Sequence, residues 1–251
     1  MADEVIRISD LNVFYKNRKR KLFSKKEDKK VQALYGVSVS MEEGEVLAVA
    51  GESGCGKSTL ARAIVGINKD YTGEIWQKYP RPQMVFQDPY NSLNPAKTIG
   101  WLLEEPLRVD KERQWTKEER RARIEEIMKD IELPLNMLER YPSQLSGGQR
   151  QRVCIGIALM RNPKVLIADE PVSALDVTIQ AQIMELLTNL HKKLGISIIF
   201  ISHDLRVVYR MSDHVLIMKN GRVVEYGKTR DVYKNPQADY TKALLKAAGI
   251  T

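Results

Sequence analysis

The sequence predicts an α/β fold, and three observations carry that expectation. Apolar runs of strand length stand at 45–50, 165–168 and 196–202, without the polar alternation of a half-exposed strand. Helical periodicity follows the first run at 60–66 and fills the interval 175–194 between the second and third. Each run ends abruptly in glycine or polar residues: Gly51–Thr59, Asp169-Glu170 and His203-Asp204. In α/β folds ligands meet the carboxyl ends of strands, so these three turns are the first places to look for chemistry.

The first turn, Gly51-Glu52-Ser53-Gly54-Cys55-Gly56-Lys57-Ser58-Thr59, fits G-x-x-x-x-G-K-[ST] with a strand before it and a helix after it. Glycines let the backbone curl until successive N–H groups face one anion, and the helix start adds its positive dipole end. Lys57 is placed to reach β- and γ-phosphates and Ser58 to hold Mg²⁺. The stretch reads as a nucleotide-phosphate site.

With 251 residues the chain suffices for one large or two small domains. Apolar residues at 43% and charged residues at 29% are ordinary values for a soluble protein, and no apolar run approaches the roughly 18 residues that span a bilayer. Met1-Ala-Asp-Glu-Val5 lacks the basic-then-apolar layout of a signal peptide. Cys55 and Cys154 lie far apart without paired ligand spacing, which argues against a disulfide framework or a zinc site. A cytosolic protein is expected, with any membrane role exercised through a partner. The net charge of +8 is local: residues 16–30 hold nine basic and two acidic residues, leaving +1 for the rest. A solvated hairpin loop, attraction to anionic lipid and attraction to nucleic acid all remain open for that run, the last without interleaved aromatics to support it.

In chain order, 4–15 alternate like a half-buried strand and 31–41 read as a second. Tyr15 is either an adenine-stacking aromatic or a core strand residue. Tyr71–Trp76 and Gln83–Phe86 read as short strands, and Gln87 follows the second directly. Residues 97–145 are helical in character, with a capping box at Thr116 and Glu119 and an apolar face of Ile124, Ile127, Met128 and Ile131. Ser146 is a good N-cap for the helix that continues to Met160, and the glycines behind it leave backbone N–H groups uncovered. Asp169 and Glu170 are adjacent carboxylates at the end of an apolar strand, costly unless they meet a cation or a reacting water. The helix at 175–194 stops at Gly195. His203 occupies the same kind of position as Asp169-Glu170 and is read as catalytic; His191 and His214 are read as structural. A hairpin around Asn220-Gly221 and helices near 229–234 and 240–248 complete the chain.

With these residues in view, the chain resembles the nucleotide-binding subunits of ATP-binding-cassette (ABC) transporters over nearly its full length. Gly51–Thr59 match the Walker A loop, Gln87 the Q-loop, and Leu145-Ser146-Gly147-Gly148-Gln149 the signature; Walker B ends at Asp169-Glu170, Ser173-Ala174-Leu175-Asp176 match the D-loop, and His203 matches the switch histidine. Within that family it is similar to the F-type ATPase subunit of oligopeptide, dipeptide and nickel importers, through Phe86–Pro95, Glu104–Leu107, Ala168–Val177, Asn235-Pro236 and Tyr240-Thr241. Three features depart from that branch, one being that the longer tail many relatives carry is not expected after Thr251. Lys57 and Gln87 are only 30 positions apart, implying a trimmed β-subdomain, and Ala238-Asp239 replace the usual His-Pro before Tyr240.

The resemblance implies one ABC-type P-loop NTPase domain over 1–251. A mixed β-sheet core, an antiparallel β-subdomain and a helical subdomain inserted at about 97–160 would compose it, with the basic hairpin loop at 16–30. It implies an ATPase using ATP and Mg²⁺. Adenine would stack on Tyr15; Gly51, Ser53, Gly54, Cys55, Gly56, Lys57, Ser58 and Thr59 would bind the phosphates. Ser58, Gln87 and Asp169 would serve the metal, and Glu170, His203, Gln87 and Lys57 the catalysis. Ser146, Gly148 and Gln149 would bind the ATP held by a second subunit. The implied partners are a second ABC ATPase of D type, two membrane permeases and, through them, an extracytoplasmic substrate-binding protein. The implied location is peripheral, on the cytoplasmic face of the membrane, with peptides as cargo. A nickel or metal-chelate importer and the ABC subunit of a soluble carbon–phosphorus lyase complex are the alternatives. Nucleic acid is not expected as a partner.

Overall fold

The computed structural model describes residues 3–16 and 30–250. The expected basic loop therefore lies outside the described residues except for Lys16 and Lys30, which face each other across a strand pair. In order, the elements are β1 (Glu4–Lys16), β2 (Lys30–Glu42), β3 (Val46–Ala50), α1 (Lys57–Ile64), β4 (Tyr71–Gln77), β5 (Gln83–Val85) and α2 (Pro89–Ser92). Next come α3 (Ile99–Arg108), α4 (Lys117–Asp130), two 3₁₀ turns (Leu135–Glu139 and Pro142–Gln144), α5 (Gly147–Leu159), β6 (Val165–Asp169) and α6 (Val177–Leu194). β7 (Ser197–Ser202), α7 (Leu205–Met211), β8 (His214–Lys219), β9 (Arg222–Lys228), α8 (Thr229–Lys234) and α9 (Asp239–Ala247) close the chain. Two compact units divide it, Met1–Pro80 with Phe200–Thr251 and Arg81–Ile199.

In the first unit, β1 pairs antiparallel with both β2 and β4. Val5, Ile6, Ile8, Leu11 and Val13 supply its buried face, and register shifts around Asp10 bend the strand. β3 runs parallel to β8, from Leu47 opposite His214 to Ala50 opposite Ile217, and β9 returns antiparallel to β8. Asn220 and Gly221 both have positive φ, 49° and 75°, as a two-residue hairpin turn matched to strand twist requires. All five residues of β3 are buried, which explains why its sequence lacks alternation. Ala48 and Ala50 belong to one core cluster with Leu205, Val208, Tyr233 and Leu245 from the three C-terminal helices.

In the second unit, β5 and β6 pair in parallel, with Val85 opposite Ala168. The capping box at α4 is present as expected: Thr116 Oγ1 accepts from the Glu119 N–H, and Glu119 accepts from the Thr116 N–H. Ile124, Ile127, Met128 and Ile131 are buried. Within the stretch of helical character, Leu135–Glu139 and Pro142–Gln144 form two short 3₁₀ turns, the first capped by Pro134 and the second opened by Pro142. The helix expected from Leu175 begins at Val177. Asp176 is its N-cap, its carboxylate accepting from the Ile179 N–H at 3.0 Å, and Gly195 ends it at φ 60°. Among the described residues no helix is long and apolar enough to cross a membrane.

Candidate active site

The phosphate loop is built by backbone shape. Gly51, Gly54 and Gly56 have φ of 146°, 79° and 109°, values that side chains resist. At Gly51 a Cβ would also lie 2.2 Å from the Met218 carbonyl oxygen, so β8 leaves room for glycine alone. The hairpin turn braces the loop from outside, the Gly221 N–H donating to the Cys55 carbonyl at 2.9 Å. Lys57 is 4% exposed, and its ammonium donates to the carbonyls of Gly51 and Glu52, both at 2.9 Å. The cation is thereby fixed over the curl of the loop. Ser53 and Gly54 are exposed at its crest, Ser58 and Thr59 are half-buried on the first turn of α1, and the Tyr15 hydroxyl donates to Thr59 Oγ1 at 3.3 Å. Tyr15 itself is 38% exposed, so its ring lies beside the loop and is not a core residue. Burial pushes the Cys55 thiol above its usual range, against the opposing pull of Lys57. His203 stands exposed at the end of β7, where the Asp204 carboxylate caps α7 through the Arg206 N–H.

Register assembles the cluster in the second unit. Because β5 and β6 end side by side, Gln87 and Glu170 meet although 83 residues separate them, Gln87 Nε2 donating to Glu170 Oε2 at 3.1 Å. Asp169 ends β6 and is 3% exposed. Glu170 adopts φ 46°, a left-handed conformation unfavourable for a side chain with a Cβ. The turn that imposes it is pinned by Ser173, whose N–H and hydroxyl both donate to the Glu170 carbonyl at 3.2 Å. Backbone strain of this kind, about 1–3 kcal/mol, persists only where the surroundings over-determine it.

The start of α5 carries Ser146, Gly147, Gly148 and Gln149. Ser146 is the expected N-cap, and Gln149 completes a capping box, Ser146 Oγ accepting from the Gln149 N–H at 3.3 Å and Gln149 Oε1 accepting from the Ser146 N–H at 3.0 Å. A Cβ on Gly148 would approach Ile179 Cγ2 at 2.6 Å, and one on Gly147 would approach Leu175 at 3.1 Å. The glycines thus allow α5 to seat against the start of α6. Gln180 secures the preceding loop, its amide donating to the carbonyls of Val172 and Leu175 at 3.0 Å. Arg150 stacks 4.1 Å from the Tyr90 ring centroid, tying the segment after Gln87 to the same helix. Sequence reasoning did not assign Gln149 to the cap, nor Gln180 to the loop. The S-x-x-Q spacing marked the former; nothing local marked the latter.

The ABC transporter family model matches residues 34–173, from β2 through the loop after Glu170. The chain belongs to the ABC transporter family. The dipeptide transport ATP-binding protein DppF of Haemophilus influenzae is 46% identical over 91% of this chain and 73% of its own length. The oligopeptide transport ATP-binding protein OppF of Salmonella typhimurium is 44% identical over 98% of this chain and 78% of its own length. Among solved structures, CbiO1 of Clostridium perfringens, part of an ABC transporter complex, superposes with a TM-score of 0.77 at 28% identity, over 99% of this chain and 95% of that one. The ATP-binding cassette MJ0796, a dimer in a post-hydrolysis state bound to ADP and Pi, gives 0.75 at 30% identity, over 90% and 99%. The expected ABC-type α/β fold is therefore borne out. In this ABC cassette, curled loop amides, a buried ammonium and a neighbouring hydroxyl form a donor set suited to a polyphosphate with a divalent cation.

Proposed function

We propose that the chain is the ATP-hydrolysing subunit that powers an ABC importer for peptides. The fixed Lys57 ammonium over the glycine loop is the observation that carries the ATPase reading. The dipeptide and oligopeptide relatives at 44–46% identity support the cargo class ahead of nickel or a lyase complex. The domain is read as one cassette over 1–251 with its helical insertion at about 97–160.

ATP binds with adenine on Tyr15 and its phosphates on the amides of Gly51, Ser53, Gly54, Cys55 and Gly56, the Lys57 ammonium and the start of α1 at Ser58 and Thr59. Ser58, Gln87 and Asp169 would hold Mg²⁺, which would supply charge neutralisation at the transferring phosphoryl group. Lys57 holds the β/γ-phosphates, Gln87 orients Glu170, Glu170 polarises the attacking water, and His203 contacts the γ-phosphate. Ser146, Gly148 and Gln149 serve the ATP of a second ATPase subunit, read as a D-type partner. Hydrolysis then requires two subunits to close, and closure works on two membrane permeases fed by an extracytoplasmic binding protein. The subunit would sit on the cytoplasmic face of the membrane as a peripheral component. Phosphoryl transfer rests on positioning and charge, so removing the carboxylate of Glu170 should stop chemistry and leave binding intact. The Glu170→Gln variant is expected to hold ATP in a stable dimer on size exclusion; turnover near the wild-type rate would refute the assignment.

A further inference from the structure

Helix α9 is bonded at both ends to elements that carry candidate site residues. At its start, the Tyr240 hydroxyl oxygen accepts from the Glu52 N–H at 3.4 Å, inside the phosphate loop. That N–H belongs to the Gly51–Glu52 peptide, whose carbonyl oxygen on the other side accepts from the Lys57 ammonium at 2.9 Å. A peptide unit is planar, so a bond to one edge fixes the direction of the other. The Tyr240 ring is itself held, with the Lys219 ammonium 4.4 Å from its centroid. Glu225 sets the entry to the helix, its carboxylate accepting from the N–H groups of Gln237 at 2.8 Å and Ala238 at 3.1 Å.

At the far end, the Arg206 guanidinium donates to the Ala248 carbonyl from Nε at 3.3 Å and Nη2 at 3.1 Å. Arg206 lies in the first turn of α7, three residues after His203, and the Tyr233 hydroxyl from α8 donates to the neighbouring Leu205 carbonyl at 2.7 Å. Leu245, 1% exposed, anchors the shaft in the same core cluster as Ala50 and Leu205. One short helix therefore joins the phosphate loop to the turn that presents His203.

We propose that α9 is a positioning strut, with Tyr240 orienting the Gly51–Glu52 peptide and through it Lys57, and Arg206 orienting the His203 turn. The proposal rests on the ATPase reading of Lys57 and His203. Tyr240 and Arg206 act through other residues, so the two ends should affect different kinetic constants. Tyr240→Phe keeps the ring and its packing and removes only the acceptor. In the full chain it is expected to weaken binding of a fluorescent ATP analogue with Mg²⁺ by about threefold, the size of one modest hydrogen bond, while the melting temperature falls by no more than about 2–4 °C. In the assembled transporter, KM for ATP should rise with kcat kept.

Arg206→Gln should do the reverse, leaving ATP affinity intact and lowering kcat by about threefold, with Arg206→Lys recovering part of the loss. Wild-type affinity and KM in Tyr240→Phe would overturn the strut. So would a uniform fall of stability, affinity and kcat in both variants, which marks a helix that is packing alone. Lys57→Ala separates the two levels of the proposal. Loss of ATP binding in that variant with Tyr240→Phe silent defeats the strut alone, whereas wild-type binding in Lys57→Ala defeats the ATPase reading itself.

Discussion

Gly148 shows how one absent methyl group shapes the start of α5. Its missing Cβ leaves space for Ile179 Cγ2, which a methyl group would approach at 2.6 Å. Overpacking of this kind costs typically about 1–3 kcal/mol and displaces the neighbour or the helix. Gly148→Ala should therefore lower ATP turnover of the assembled transporter tenfold or more while the isolated chain binds ATP normally, a contrast read by fluorescence titration beside an ATPase assay. The same residue illustrates what the sequence makes visible. A glycine pair behind a serine cap announces a helix start with uncovered amides, but the identity of Ile179 as the neighbour emerges only once α5 and α6 pack. Glu170 is similar: its place after an apolar strand was legible, whereas its φ of 46° and its contact with Gln87 depend on the turn at Ser173 and on the parallel register of β5 and β6.

At the scale of elements, local signals predicted best where the chain carries its own start and stop. The capping box of α4, the hairpin turn at Asn220-Gly221 and the stop at Gly195 were all readable because each is decided by residues within four positions. The start of α6 at Val177 differs from the expected Leu175 because apolar spacing runs through the capping Asp176, and within 97–145 spacing does not distinguish the 3₁₀ turns at Leu135–Glu139 and Pro142–Gln144 from α-helix. The helical unit also depends on contacts that spacing does not reveal. Glu104 of α3 pairs with Arg108 on its own helix and with Arg120 of α4. Arg108 first, then Arg120, hold its carboxyl below the usual 4.5. The folded chain thus binds this proton more weakly than the unfolded one, so the stabilisation is full above about 4.5 and is lost as pH falls through the lower folded value. Glu104→Gln should lower stability by about 0.5–1 kcal/mol at neutral pH, and calorimetry should show the gap from wild type closing in acid.

For the whole molecule, the order of the motifs carries the resemblance to ABC cassettes, because the loop, signature and acidic strand end each place unusual residue types at strand or helix ends. The direct links made by residues of those motifs are long-range: Gln87 to Glu170, and Tyr240 to the Glu52 amide across 188 positions. In the proposed mechanism this chain binds one ATP through its glycine loop and completes the site of another subunit through its signature. ATP titration and steady-state turnover of Lys57→Ala and Ser146→Ala, each assembled with wild-type partners, test it most directly. Lys57→Ala is expected to abolish ATP binding in this subunit, while Ser146→Ala is expected to retain binding here and to lose hydrolysis in the assembly. Loss of ATP binding by the isolated Ser146→Ala chain while it remains folded, or retention of binding by Lys57→Ala, would contradict it.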